Sequence, residues 1–486
     1  MPWSDPLIVP RHSAPTLERT RLAKARGGWT TENAPGDRLP AERSAPDRDD
    51  SGHVRTDTGP ERAVLAALFP RKDPRLELAE PLKELALLAK TAGVQVVGER
   101  ILQKRDRPDP ATCIYKGTVE LLEAELEAVD ADMVIFDNEL SPRQRRNLEK
   151  RLSRKVIDRT ELILDIFASH ARTPQSRRQV EVAQLIYALP RLRKMWSHLD
   201  PGVGLRGPGE KQLEIDKRLV QGRIQDLKEE LAEFRLRKER EVSTRKQAYT
   251  VALVGYTNAG KSTLMNRLTQ ADVFVADKLF ATLDTRTRVW EVGRNRRVLL
   301  SDTVGFISHL PHRLVESFHA TLEEVVTADL LIHVVDASDP QPLQQVAAVR
   351  EVLTQIGASE KEELVVLNKV DQAEAEFLPF LERRLGRTVR VSALTGEGAE
   401  GLREIVNDYA SRNEVDLTLW LNVREGRALA FLESEFEIQE KELVEERIRF
   451  QVRCPERLIG TLKSRLDDPA HLEIEGELPS REVWEE

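Results

Sequence analysis

Val251-Ala-Leu-Val254-Gly255-Tyr-Thr-Asn258-Ala259-Gly260-Lys261-Ser262-Thr263 is the stretch on which the fold turns. A short apolar run, the length of a buried strand, passes into a Gly-rich loop ending in Lys-Ser, and Leu264-Met-Asn-Arg-Leu268 continues as a helix. Such a loop holds phosphate. Its backbone N–H groups converge on the β-phosphate, Lys261 neutralises β/γ charge, the Ser262 hydroxyl ligates Mg²⁺, and the helix adds its positive N-terminus. Gly255, Asn258, Ala259, Gly260, Lys261, Ser262 and Thr263 are therefore the expected phosphate-side contacts. A surface turn can carry the same letters, so the loop alone implies a nucleotide and nothing finer.

The order of motifs behind it narrows the ligand to GTP. Leu299-Leu-Ser-Asp302-Thr-Val-Gly305 reads as a strand ending in Asp-x-x-Gly, where Asp302 holds Mg²⁺ through water and the Gly305 N–H senses the γ-phosphate. Leu364-Val-Val-Leu-Asn368-Lys369-Val-Asp371 is a second buried strand. The Asp371 carboxylate can accept from guanine N1–H and the exocyclic amine. Adenine offers no such donor pair and would leave the acid unpaired. Ser392-Ala393 then supplies a short backbone loop suited to guanine O6.

Lys278-Leu-Phe-Ala-Thr282-Leu-Asp-Thr285 lies between the first two motifs and supplies the threonine that closes over Mg²⁺ and the γ-phosphate. Thr282 is the choice, with Thr285 the alternative, since spacing does not decide. Lys261, Thr282 and Gly305 are the expected catalytic set, and Ser262 and Thr282 the direct Mg²⁺ ligands. Phe306 follows Gly305 where many GTP hydrolases carry a glutamine that orients water. A phenyl ring cannot do that, so hydrolysis is slow unaided or is completed by a partner or an ion. Asn258 has two readings: a ligand for K⁺ standing in for an arginine finger, or a residue that tolerates a left-handed turn.

Composition bounds the rest. A chain of 486 residues should hold about three domains. Two cysteines, Cys113 and Cys454, exclude a disulfide framework. No apolar run approaches the roughly 20 residues of a membrane span, and Met1-Pro-Trp-Ser-Asp lacks the pattern of a secretion signal. The expectation is a monomer without stable membrane insertion, free in the cytoplasm or peripheral on the membrane's cytoplasmic face. Net charge is −8, yet Arg143 to Lys246 holds 26 lysines and arginines against 15 acids. That segment is where a polyanion would dock.

Along the chain, residues 1–62 are rich in Pro, Arg, Asp and Gly and read as a disordered extension. Residues 63–175 alternate short apolar runs (94–97, 133–136, 155–158) with helical stretches, an N-terminal α/β domain. Residues 176–247 read as a long antiparallel helical hairpin. Val182, Leu185, Leu189, Leu192 and Trp196 mark one arm, kinked at Pro190, and Val220, Ile224, Leu227, Leu231 and Phe234 form a coiled-coil seam on the other. That second arm is roughly 50 Å long. Between the arms, Asp200-Pro-Gly202-Val-Gly204-Leu-Arg206-Gly207-Pro-Gly209 fits neither helix nor strand. Gly202, Gly204, Arg206, Gly207, Gly209 and Lys211 are the candidate RNA contacts of this side-chain-poor tip. Residues 248–412 form a P-loop GTPase domain with a doubly wound, mainly parallel sheet, and 413–486 a small C-terminal α+β domain. With 19 acidic and 10 basic residues, the latter is suited to protein rather than RNA.

Pro108-Asp-Pro-Ala-Thr112, Phe136-Asp-Asn-Glu-Leu-Ser-Pro142, Asp158-Arg-Thr-Glu-Leu-Ile-Leu-Asp165, Arg206-Gly-Pro-Gly-Glu210 and Asp302-Thr-Val-Gly-Phe-Ile307 together resemble the HflX family of ribosome-associated GTPases. The likeness runs from about residue 63 through the GTPase domain. It implies a factor that binds GTP or GDP and the large ribosomal subunit, whose GTP hydrolysis that subunit stimulates. Members split stalled ribosomes under heat or other stress, and their Gly-rich tip reaches rRNA near the peptidyl-transferase centre. Phenylalanine after Asp-x-x-Gly is that family's habit. The alternative from another class is a GTP-dependent RNA-binding switch in ribosome assembly or RNA modification, without subunit splitting.

Overall fold

The computed structural model describes residues 7–8, 59–191, 208–244, 249–269, 279–280, 283, 285–293, 296–308, 322–412 and 414–476, leaving aside the side chains of 7–8, 208–213, 235–244 and 455–457. They fall into two compact units divided after Arg159. Among them, no helix is long and apolar enough to cross a membrane.

The first unit is built on β2 (Arg62–Phe69), whose side chains from Ala63 to Phe69 are all buried. Strands β3 (Gln95–Val96), β4 (Ile101–Lys104) and β5 (Met133–Phe136) pair with it in parallel, and β6 (Lys155–Asp158) continues beyond β5. The short β1 (Leu7–Ile8) pairs antiparallel with β4. Helices α1 (Lys83–Thr91), α2 (Lys116–Ala128) and α3 (Pro142–Leu152) connect the strands. Neither β2 nor β4 is among the apolar runs read from sequence. A strand buried on both faces has no alternation, so periodicity cannot separate Arg-Ala-Val-Leu-Ala-Ala-Leu-Phe from a buried helix.

The second unit opens with α4 (Arg159–His170). Helices α5 (Pro174–Ala188) and α6 (Pro208–Thr244) pack as an antiparallel pair. Arg223 forks onto Glu181 at 2.9 and 3.2 Å, and Arg178 pairs with Glu230. Leu227 is fully buried, while Val220, Ile224, Leu231 and Phe234 are half-buried, as their heptad spacing requires. Two details depart from the sequence reading. Helix α5 ends at Ala188 rather than bending through Pro190, because the proline ring crowds the preceding turn and offers no N–H to continue the helical ladder. Helix α6 takes in Pro208 and Gly209, since proline is tolerated in a first helical turn. Leu192, Trp196, Gly202, Gly204, Arg206 and Gly207 lie outside the described residues.

A second six-stranded sheet has the order β12-β11-β10-β7-β9-β8, comprising β7 (Tyr249–Gly255), β8 (Arg286–Glu291), β9 (Arg297–Asp302), β10 (Leu330–Asp336), β11 (Glu363–Asn368) and β12 (Thr388–Arg390). All neighbours are parallel except β8 with β9. The carboxyl ends of β7, β9 and β11 thus share one edge, where ligands of such sheets bind.

Four antiparallel strands follow, β13 (Glu414–Asn422), β14 (Glu437–Val444), β15 (Arg447–Pro455) and β16 (Leu472–Glu475), in the order β14-β15-β13-β16. Helices Gly426–Glu435 and Glu456–Lys463 cover one face, onto which Leu417, Leu419 and Leu421 alternate inward. Strand β16 was not among the strands read from sequence. Arg296, beside β9, ties this domain to the larger sheet by donating to Glu414 and, at 2.7 Å, to Glu437.

Candidate nucleotide site

Glycine sets the phosphate loop. A Cβ on Gly255 would meet the Val334 carbonyl oxygen at 2.3 Å, and one on Gly260, whose φ is +94°, would meet Asn368 Nδ2 at 2.3 Å. The chain can therefore turn off β7 only with no side chain at these points. Helix α7 (Lys261–Thr269) starts directly behind the loop.

Lys261 is 6% exposed and donates to the carbonyls of Gly255 and Tyr256 at 3.0 and 2.9 Å. Burial pulls its pKa down to about 8, partly opposed by Asp302. An ammonium held mainly by neutral carbonyls gains from any anion that enters beside it. The Ser262 hydroxyl donates to Asp302 at 2.6 Å, and Asp302 is fully buried at the end of β9. These hard oxygens, a hydroxyl and a carboxylate, fit Mg²⁺.

Gly305 lies against the loop: a Cβ there would meet Thr257 Cα at 2.8 Å and Lys261 Nζ at 3.1 Å. Phe306 extends this contact, its N–H donating to Gly255 and its carbonyl accepting from Thr257. Its ring is buried, so Phe306 packs where a water-orienting glutamine would face the nucleotide. Tyr256 adds a second link, its hydroxyl lying 2.7 Å from Ser308 Oγ.

Asn258 has φ +62°, the left-handed backbone that its turn reading requires. Thr263 follows Ser262 in the first turn of α7. Thr282 lies outside the described residues, while the alternative Thr285 donates to Glu324 at 3.2 Å.

The base side is built by Asn368. Its Nδ2 donates to the Ala259 carbonyl at 2.8 Å and its Oδ1 accepts from Ala393 N–H at 3.0 Å. One side chain thereby struts the phosphate loop against the loop after β12. Lys369, at φ +60°, turns its ammonium onto Asp336 at 2.6 Å. Asp371 is exposed, and the Ser392 hydroxyl holds its carboxyl below the usual range. An ionised, outward acid suits a base that presents two donors.

Sequence reasoning missed Thr257, whose Oγ1 accepts from Phe280 N–H at 2.9 Å, and Asp336. Neither sits in a spacing that marks it. Lys211 lies in α6, far along the chain from this site.

A model described as "50S ribosome-binding GTPase" matches residues 250–369; "GTP-binding GTPase N-terminal" matches 79–168, and "GTP-binding GTPase Middle Region" 170–245. The chain is 42% identical over 422 residues to "GTPase HflX" of Magnetococcus marinus, covering 85% of this chain and 97% of that one. Against "GTPase HflX" of Escherichia coli it is 44% identical over 415 residues, covering 82% and 95%. A solved structure of a GTP-binding protein from Sulfolobus solfataricus in complex with GDP is 26% identical, covers 72% of this chain and 99% of that one, and overlays with a TM-score of 0.38, too low to bear on function. With relatives this similar along nearly their whole length, and with the guanine-nucleotide motifs gathered at one sheet edge, the chain belongs to the HflX family and is a GTPase.

Proposed function

We propose that this GTPase works on the large ribosomal subunit and splits or rescues stalled ribosomes under stress such as heat. The observation that carries the reading is one chain joining a nucleotide edge to a 37-residue helical arm inside its most basic segment. The match to a 50S ribosome-binding GTPase model supports it.

In this reading Gly255, Asn258, Ala259, Gly260, Lys261, Ser262 and Thr263 wrap the phosphates. Asp371 takes the guanine N1–H and amine, Asn368 and Lys369 brace the pocket, and Ser392 and Ala393 meet O6. Ser262 and Thr282, with Asp302 through water, would hold Mg²⁺, which when bound neutralises charge on the β- and γ-phosphates. Thr282 and Gly305 close on the γ-phosphate and order their segments. The GTP form docks its arm on rRNA near the peptidyl-transferase centre through Gly202, Gly204, Arg206, Gly207, Gly209 and Lys211, and wedges the subunits apart. Hydrolysis, completed by groups the ribosome positions, releases the protein. It acts as a cytoplasmic monomer.

GTP turnover, measured with and without purified large subunits in potassium and in sodium buffer, tests this. Strong stimulation by subunits is expected. Stimulation by potassium alone would give Asn258 the ion-ligand role and remove the ribosome from the mechanism. No stimulation by either would leave a binding module without turnover.

A further inference from the structure

We propose that Arg267 is a positioning residue that sets the site's preference for guanine over adenine. The proposal rests on the reading that Ser392-Ala393 meets guanine O6. Arg267 lies in the last turn of α7, the helix that begins at the phosphate loop. Its Nε donates to the Ala393 carbonyl at 3.2 Å, and its terminal nitrogen donates to the Leu394 carbonyl. The same stem lies along Gly396, where a Cβ would sit 3.7 Å from the Arg267 Cδ, Nε and Cζ.

The chemistry follows from which end of a peptide faces the base. Guanine O6 is an acceptor and needs an N–H, whereas adenine offers an amine at that position and would favour a carbonyl. Two consecutive carbonyls of the base loop are drawn onto one guanidinium by charge-assisted bonds. Ala393 is also held from its other side, its N–H donating to Asn368. With both carbonyls engaged, the loop cannot turn one of them toward the base without losing Arg267. Leu394 is 66% exposed, so no packing of its side chain fixes that peptide instead.

The test compares Arg267→Ala, Arg267→Lys and Asp371→Asn in the full chain, titrating GTP, ATP and ITP against a fluorescent GDP. ITP keeps O6 but lacks the amine, so the GTP/ITP ratio reports Asp371 and the GTP/ATP ratio also reports O6. Arg267→Ala is expected to lower the GTP/ATP preference about tenfold while leaving GTP/ITP unchanged, with partial recovery in Arg267→Lys. An unchanged GTP/ATP ratio would overturn the proposal. So would a parallel fall of both ratios, which is what general loosening or misfolding of the site produces. If Asp371→Asn alters neither ratio, the base-side reading itself fails. If it alters GTP/ITP while Arg267→Ala leaves GTP/ATP intact, only the Arg267 proposal fails.

Discussion

Two mainly parallel sheets of this chain end their strands in opposite ways. In the N-terminal unit, Arg159 is buried at the close of β6 and donates to Asp137 at 2.8 Å and to Glu84. Arg75 takes the other Asp137 oxygen at 2.9 Å and Asp73 at 2.8 Å. Asn138 pairs with both the N–H and the carbonyl of Leu68, at 2.7 and 2.9 Å. Both guanidinium groups are answered by carboxylates. In the GTPase sheet, three glycines keep the edge clear, and the buried Lys261 rests on carbonyls. A buried cation already matched by carboxylates is architecture; one matched by neutral dipoles is poised for an anion. The fold family of the sheet does not decide which it becomes.

The comparison can be broken most directly at Arg159. Arg159→Ala removes two charge-assisted contacts, Asp137 keeping Arg75 and Glu84 being part-exposed, and is expected to destabilise the N-terminal unit by about 3 kcal/mol. Denaturant unfolding would read that loss, while a GDP titration on the folded protein should be unchanged. A matching loss of nucleotide affinity would mean that the network serves the site rather than its own unit.

A smaller effect, on binding, is expected from Gly260→Ala. The new Cβ must displace Asn368, which both loops use as a strut, so GDP affinity should fall about 100-fold, close to 2.7 kcal/mol. Calorimetric titration measures it. Retained affinity would show that the glycine-cleared edge is not what makes this sheet a site.

The smallest effect is in pH. With Lys261 depressed from 10.5 to about 8, the unfolded chain binds more protons than the nucleotide-free fold between those values. Stability of the free protein should therefore gain from this group as pH rises through that window. Phosphate favours the charged lysine, so binding takes up a proton above pH 8. GDP affinity should weaken by about tenfold between pH 7 and pH 9, the two trends running in opposite directions. Thermal melting and titration across that range check both signs, and a flat affinity would remove Lys261 from phosphate binding.

Much of the nucleotide edge was legible because each motif is local. A strand, a turn and a charged residue within about ten positions dictate a phosphate loop, and Asp302 and Gly305 mark the end of β9 in the same way. Strand β2 was illegible for the converse reason. Its pattern is continuous, and only three parallel partners fix it as a strand. Asn368 stood out as part of Asn-Lys-x-Asp, but its present role as a strut depends on two loops 109 and 25 residues away.

The sequence by itself determined that the chain carries the motifs of a GTPase and that they follow the strands β7, β9 and β11. Chirality, backbone sterics and hydrogen-bond chemistry act over a few residues and need no distant partner. Only the tertiary structure decided that Asn368 joins the two halves of the site, that Arg267 holds carbonyls 126 and 127 residues away, and that Arg296 reaches Glu414 across 118 residues. No local pattern encodes such pairs, because the charge or amide at one end acquires its meaning only when folding brings the other end within hydrogen-bond reach.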